Sequence, residues 1–266
     1  MNHMLWPTLP LTALLFWLGT KAGTRLTLAA SRLAFLIFAM AIAAPGILFA
    51  AYYTKLLGEP IWLYQFRAMP GTELTAAGVG LVAGFIHQAR HKHPILKKQL
   101  RVLTVPAILA VIIAAPYVKP LIRPLNRSLL AEQWKDGVCL QSTPSTCGPA
   151  SAATIVRSLG KDVKEAELAQ ESFTNAGGTE NWYLARALRK RGFEVEFRPV
   201  APGTTEFPTS AVAGVKLAQG TGHFIALISK EGASYVASDP LTGRFTATLA
   251  ELKSDYQFTG FFLVIK

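Results

Sequence analysis

The stretch QSTPSTCGPAS, Gln141 to Ser151, decides how this chain is read. Pro149 is tolerated in the first turn of a helix, so a helix opening at Cys147 is expected. It would run through CGPASAATIVRSLG and stop at Gly160. A thiol at a helix N-terminus is pushed toward thiolate by the dipole and the unpaired N–H groups, which suits a nucleophile. Gly148 adds no side chain that would block a substrate carbonyl. A small buried cysteine starting an ordinary helix has the same local signature, so the partners must decide.

A cysteine nucleophile needs a general base, and the base needs an orienting acceptor. Beyond residue 93 the chain has one histidine, His223, which opens the strand-like run GHFIALIS. The run SYVASDP follows as its hairpin partner and ends in Asp239. An antiparallel hairpin would bring the start of the first strand opposite the end of the second. A carboxylate there holds the imidazole in one tautomer. Gln141 closes the set: its amide, with the Cys147 N–H, would serve as an oxyanion donor. Each residue also has a plain reading. His223 fits a strand end, Asp239 the turn sequence DPLTG, and Gln141 the polar end of the strand GVCLQ.

Around these residues the sequence reads as α+β, helices first and strands afterwards. Expected helices are VKEAELAQESF and TENWYLARALRKRG, the latter with Thr179 as N-cap and Gly192 as stop. Expected strands are FEVEFR, SAVAGVKL, HFIALIS, SYVAS and GFFLVIK, forming an antiparallel sheet. Thr248 and Glu251 are spaced as a capping box for a short helix before the last strand.

The rest of the chain has another texture. Of the 266 residues, 51% are hydrophobic and only 16% charged, too apolar for an ordinary soluble enzyme. The net charge of +11 is concentrated in residues 1–126, with twelve Lys/Arg against two acids; residues 127–266 carry fifteen against fourteen. A basic excess lying between apolar segments sets membrane orientation and argues against a nucleic-acid partner. Residues 1–124 are therefore read as an α-helical transmembrane region with spans at about 5–19, 33–53, 72–88 and 102–118, and residues 125–266 as the α+β domain. Lys21, Arg25 and Arg32, and the run RHKHPILKKQLR, fall in loops expected on the cytoplasmic side. That makes the chain a multi-pass protein, expected in a bacterial inner membrane, with its last domain on the extracytoplasmic face.

QSTPSTCGPAS, GGTENWYLARALRKRGFEVEF, GHFIALI, YVASDPLTG and LAELKSDYQFTGFFLVI together resemble the bacteriocin-processing, double-glycine-leader cysteine peptidases, family 39 of the cysteine class. The resemblance covers Gln133 to Lys266 and implies a papain-like fold. It implies Cys147 as nucleophile, His223 as base, Asp239 as its partner and Gln141 as oxyanion donor, with no cofactor and no metal. A peptide or protein substrate and an export transporter are the implied partners, beside the lipid bilayer. Thr146 departs from the family, which often has an acid before the cysteine, and four membrane segments stand where family members commonly adjoin an ABC transporter.

The leading expectation is a membrane-anchored cysteine peptidase. A papain-like acyltransferase or non-peptide amide hydrolase would use the same acyl-enzyme, and a catalytically silent peptide-binding module is the third reading. Cys139, two residues before Gln141, is expected as a packed thiol, with a redox pairing to Cys147 as the alternative. His87, His91 and His93 form an i, i+4 pattern but bring no carboxylate or cysteine, so they are read as flanking a basic loop.

Overall fold

The structure, a computed structural model, describes residues 5–54, 56–58, 60–92, 119–201, 203–217 and 220–266. The chain divides into two compact units, Met1–Gly58 with Pro70–Val118 and Glu59–Met69 with Lys119–Lys266.

In the first unit α1 (Leu5–Arg25) and α2 (Ala29–Tyr53) are followed by a 3-10 turn (Thr72–Gly78) leading into α4 (Val79–Lys92). Glycines let these helices meet backbone to backbone: a Cβ on Gly80 or Gly84 would run into the carbonyls of Thr12 and Phe16 on α1. Among the described residues, α2 alone is by itself long and apolar enough to cross a bilayer. The expected spans at 5–19 and 72–88 form helical structure, and the expected span at 102–118 lies outside the described residues, as does His93.

The second unit is α+β. A short hairpin, β1 (Gln133–Lys135) and β2 (Val138–Leu140), leads to α5 (Cys147–Ser158), α6 (Glu165–Glu171) and α7 (Asn181–Lys190). Then come β3 (Val195–Pro199), β4 (Ala211–Lys216), β5 (Gly222–Glu231), β6 (Ser234–Asp239), β7 (Gly243–Thr248), α8 (Leu249–Asp255) and β8 (Gln257–Ile265). The last six strands form one antiparallel sheet in the order β3-β8-β4-β5-β6-β7.

The central strands are buried on both faces, and alternate residues share one side of the pleat. Ala211, Ala213 and Val215 of β4 join Ile225, Leu227, Tyr235, Phe207, Leu252 and Phe262 in one cluster. Against β4 and β5 lies α5, fully enclosed through Ala150, Ala152, Ala153, Ile155 and Val156. Its run of alanines lets the helix sit close to the strands, and Ser151 Oγ donates to the Phe224 carbonyl at 3.1 Å. That contact sets Cys147, one turn earlier, beside the start of β5. The helix stops where expected, with Gly160 in the left-handed region at φ +77°.

Three features differ from the sequence reading. The N-cap of α7 is Glu180; Thr179 instead exchanges a hydroxyl bond with Thr174 at 2.8 Å. Strand β7 joins the sheet edge although GRFTAT carries only weak alternation. The third concerns the domain boundary expected at 124/125. The second unit begins at Lys119 and also takes in residues 59–69, assigned by sequence to the membrane region. There α3 (Ile61–Arg67) buries Leu63 and Tyr64, whose ring lies 5.9 Å from Trp182, 5.6 Å from Phe197 and 5.3 Å from Phe261. The carbonyls at the end of α3, which no helical N–H can satisfy, are taken up by arginines of α7. Arg186 donates to the Arg67 carbonyl at 3.0 and 2.6 Å, and Arg189 to that of Ala68 at 3.4 Å.

Candidate active site

Cys147 is the first residue of α5, 6% exposed, so its N–H is among those a helix leaves unpaired. Thr146 just before it closes a tight turn. Its N–H donates to the Thr143 carbonyl at 3.2 Å, and its hydroxyl accepts from the Thr143 N–H at 3.1 Å. Where an acid was expected by resemblance, this threonine spends its side chain on the turn. Gly148 is explained by packing: a Cβ there would come within 3.2 Å of the Phe224 ring.

His223 enters on β5, opposite Val215 of β4, and is almost completely buried. Its Nε2 lies 2.9 Å from Asp239 Oδ1, joining the start of β5 to the end of β6 as the hairpin reading expects. With Nε2 engaged, Nδ1 is the nitrogen left to face Cys147, which lies near enough to act on the charge of the ring. Burial opposes charge on the imidazole, yet the bond to Asp239 and the neighbouring Cys147 outweigh it and raise the His223 pKa to about 9. The site thus favours a proton on His223, which suits the neutral ring to take the Cys147 proton.

Asp239 is fixed on both oxygens. Oδ1 accepts the Leu241 N–H at 2.8 Å beside the imidazole, and Oδ2 accepts the Tyr256 hydroxyl at 3.1 Å. Burial works against the anion, but His223, the Leu241 N–H and Tyr256 together hold its pKa below the ordinary carboxylate value. Tyr256 was not singled out from the sequence. It stands between α8 and β8, and its ring stacks on Phe245 of β7 at 6.1 Å. Burial and the neighbouring Asp239 push its phenol above the usual range, so it stays a donor.

Gln141 follows β2. Its backbone N–H donates to the Pro240 carbonyl at 2.9 Å, tying the loop before the cysteine to the turn after Asp239. One amide hydrogen goes to the Thr143 carbonyl at 2.9 Å, and the second has no hydrogen bond among the described residues of the peptidase unit. Cys139 is fully buried, with its N–H on Thr154 Oγ1 at 2.9 Å. Burial, reinforced by Glu165 and Glu132, pushes its thiol well above the usual range, so it lacks the thiolate that exchange with Cys147 requires. Among the described residues no cluster of three or more His, Cys, Asp or Glu side chains has metal-binding geometry.

A cysteine at a helix N-terminus, packed against an antiparallel sheet that carries the histidine and aspartate, is the architecture of papain-like cysteine peptidases. The profile of the peptidase C39 family matches residues 135–266, and the chain belongs to that family. An uncharacterised protein of Methanothermobacter thermautotrophicus is 32% identical over 134 residues, 48% of this chain and 87% of the relative. A second, from Methanothermobacter marburgensis, is 33% identical over 104 residues, 39% of this chain and 71% of the relative. Among solved structures, the peptidase domain of Streptococcus ComA, a bifunctional ABC transporter of a quorum-sensing pathway, aligns at 20% identity. It covers 47% of this chain and 94% of that one with a TM-score of 0.40. A double glycine motif protease from an AMS/PCAT transporter, solved with its leader peptide, aligns at 22% identity, covering 54% and 97%, with a TM-score of 0.41.

Proposed function

We propose that this chain is a membrane-anchored peptidase that cuts a leader from a peptide precursor, with Cys147 as nucleophile. The observation that carries the reading is His223, held at 2.9 Å by Asp239 near Cys147 at the start of the helix. The Cys147 proton passes to His223, giving a thiolate and an imidazolium. The thiolate attacks the scissile carbonyl carbon, and the oxygen takes the negative charge between the Cys147 N–H and the free amide hydrogen of Gln141. Collapse breaks the C–N bond as His223 returns its proton to the leaving amine, leaving a thioester on Cys147. Water, deprotonated by His223, then releases the acid and regenerates the thiol.

Membership of the peptidase C39 family supports a peptide substrate. A leader ending in two glycines is the substrate class, by likeness to the family's double-glycine proteases, and an export transporter the partner. The helix Ala29–Tyr53 supports an anchor in the bilayer. In this reading the chain passes the membrane several times, and the Lys/Arg excess of residues 21–32 and 90–101 supports a peptidase domain outside the cytoplasm. The test compares peptides released by cells carrying wild type or Cys147→Ala. Precursors should accumulate uncut with the variant; identical peptide profiles would refute the reading.

A further inference from the structure

Within the peptidase unit, the proposed mechanism leaves a buried carboxylate unused. Glu165, the first residue of α6, is only 1% exposed. Both its oxygens are spent on Ser142, the residue after Gln141. Oε1 accepts the Ser142 N–H at 2.9 Å, and Oε2 accepts the Ser142 hydroxyl, which also lies 3.1 Å from the Ala131 carbonyl. The helix end carrying it is tied back to the loop before β1, the Glu165 N–H donating to Glu132 Oε1 at 3.4 Å.

The consequence is for Gln141. A side chain's direction is set by the two peptide planes that flank its Cα. The plane before Gln141 is held by its N–H on the Pro240 carbonyl at 2.9 Å, at the turn that follows Asp239. The plane after it is held by Glu165 through the Ser142 N–H. The side-chain torsions are then left to place, and the bond from the amide to the Thr143 carbonyl at 2.9 Å holds them. The site needs this restraint because an oxyanion donor acts only where it already stands when charge develops.

We infer that Glu165 is a positioning residue for the oxyanion donor, fixing Gln141 through Ser142 without touching substrate. This rests on the peptidase reading, and the test separates the two. Full-length protein is treated with two probes of Cys147. Iodoacetamide alkylation reports the nucleophile alone. A peptide aldehyde ending in Gly-glycinal reports the oxyanion site: the sulfur adds to the aldehyde carbon, and the oxygen takes up the former π pair as charge between the two donors.

Glu165→Ala should weaken aldehyde binding about tenfold or more, a large share of what loss of one oxyanion donor costs, while the alkylation rate is unchanged. Gln141→Ala should show the same split, and the double variant should lose no more than Gln141→Ala alone, since both act through one donor. Glu165→Gln keeps an acceptor for the Ser142 N–H and should recover most of the affinity. Should Glu165→Ala fail to fold, Ser142→Ala removes only the hydroxyl bond and should give a smaller loss with the same split. Unchanged aldehyde affinity in these variants would overturn the inference. So would a fall in alkylation matching the fall in aldehyde affinity, which general loosening of the fold produces. A wild type that neither alkylates preferentially at Cys147 nor binds the aldehyde overturns the peptidase reading itself and this inference with it.

Discussion

Replacing Asp239 by Asn removes one charge and keeps an oxygen that can accept from His223 Nε2. In the native site the imidazole is buried, which alone would lower its pKa, yet it stands at about 9, with the bond to Asp239 the first of the effects that raise it. Against an unfolded value of about 6.5, a folded value near 9 corresponds to about 3 kcal/mol favouring the imidazolium in the folded state. Asn leaves the neighbouring Cys147 and the burial in place, so the His223 pKa should drop from about 9 to about 7–8. The assay is kcat/KM against pH on a peptide substrate, whose alkaline limb reports loss of the imidazolium that protonates the leaving amine. That limb should lie near pH 9 in wild type and move toward neutrality in Asp239→Asn. The stability signature has a definite sign. The raised His223 pKa stabilises the fold fully below about pH 6.5, and that contribution fades as pH rises through 9. The depressed Asp239 pKa stabilises it above about pH 4 and is lost as pH falls through the folded value. Asp239→Asn should therefore cost most stability between about pH 4 and 6.5, and less as pH rises through 9 or falls below the folded Asp239 value. An alkaline limb that stays near pH 9 in the variant would show that Asp239 does not govern His223, and the reasoning would fail.

Three further expectations are sharper than activity loss alone. Tyr256→Phe keeps the stack on Phe245 but strips a donor from buried Asp239 Oδ2, and should cost about 1.5–3 kcal/mol in urea unfolding. No measurable change would mean the hydroxyl does not hold the carboxylate. Tyr64→Ala empties the contact with Trp182, Phe197 and Phe261 and should destabilise the peptidase unit by about 3–5 kcal/mol. Faster amide exchange in α7 and β3 would register it, and unchanged exchange would place residues 59–69 outside the cooperative unit. Cys139→Ala should leave turnover and its response to mild oxidants as in wild type, because the buried thiol takes no part in exchange; altered oxidant sensitivity would contradict this.

How much of the site the sequence disclosed follows from what each residue needs around it. Cys147, His223 and Asp239 were readable because the domain has a single histidine, the helix start is marked by Gly-Pro, and the hairpin fixes the histidine against the aspartate. Tyr256 was not, since its approach to Asp239 depends on how β8 and β7 cross the sheet, and no sequence spacing encodes that. Glu165 reads locally as an acid favoured in a first helical turn; only the fold shows it turned inward to Ser142. Residues 59–69 were concealed by composition, for an aromatic stretch between two apolar segments looks the same beside a bilayer as against Trp182. The helical and strand pattern of the peptidase unit was otherwise legible, because alternation and glycine stops act locally, whereas β7 owes its place to pairing with β6.

The central claim is that Cys147 carries the acyl group during peptide cleavage. Full-length protein quenched with acid during turnover of a leader-bearing peptide, then mapped by mass spectrometry, tests it directly. The expected result is a thioester of the leader fragment on Cys147 that is absent in Cys147→Ala, with no product formed by that variant. Product formation by Cys147→Ala would contradict the account, as would an acyl group carried on any residue other than Cys147.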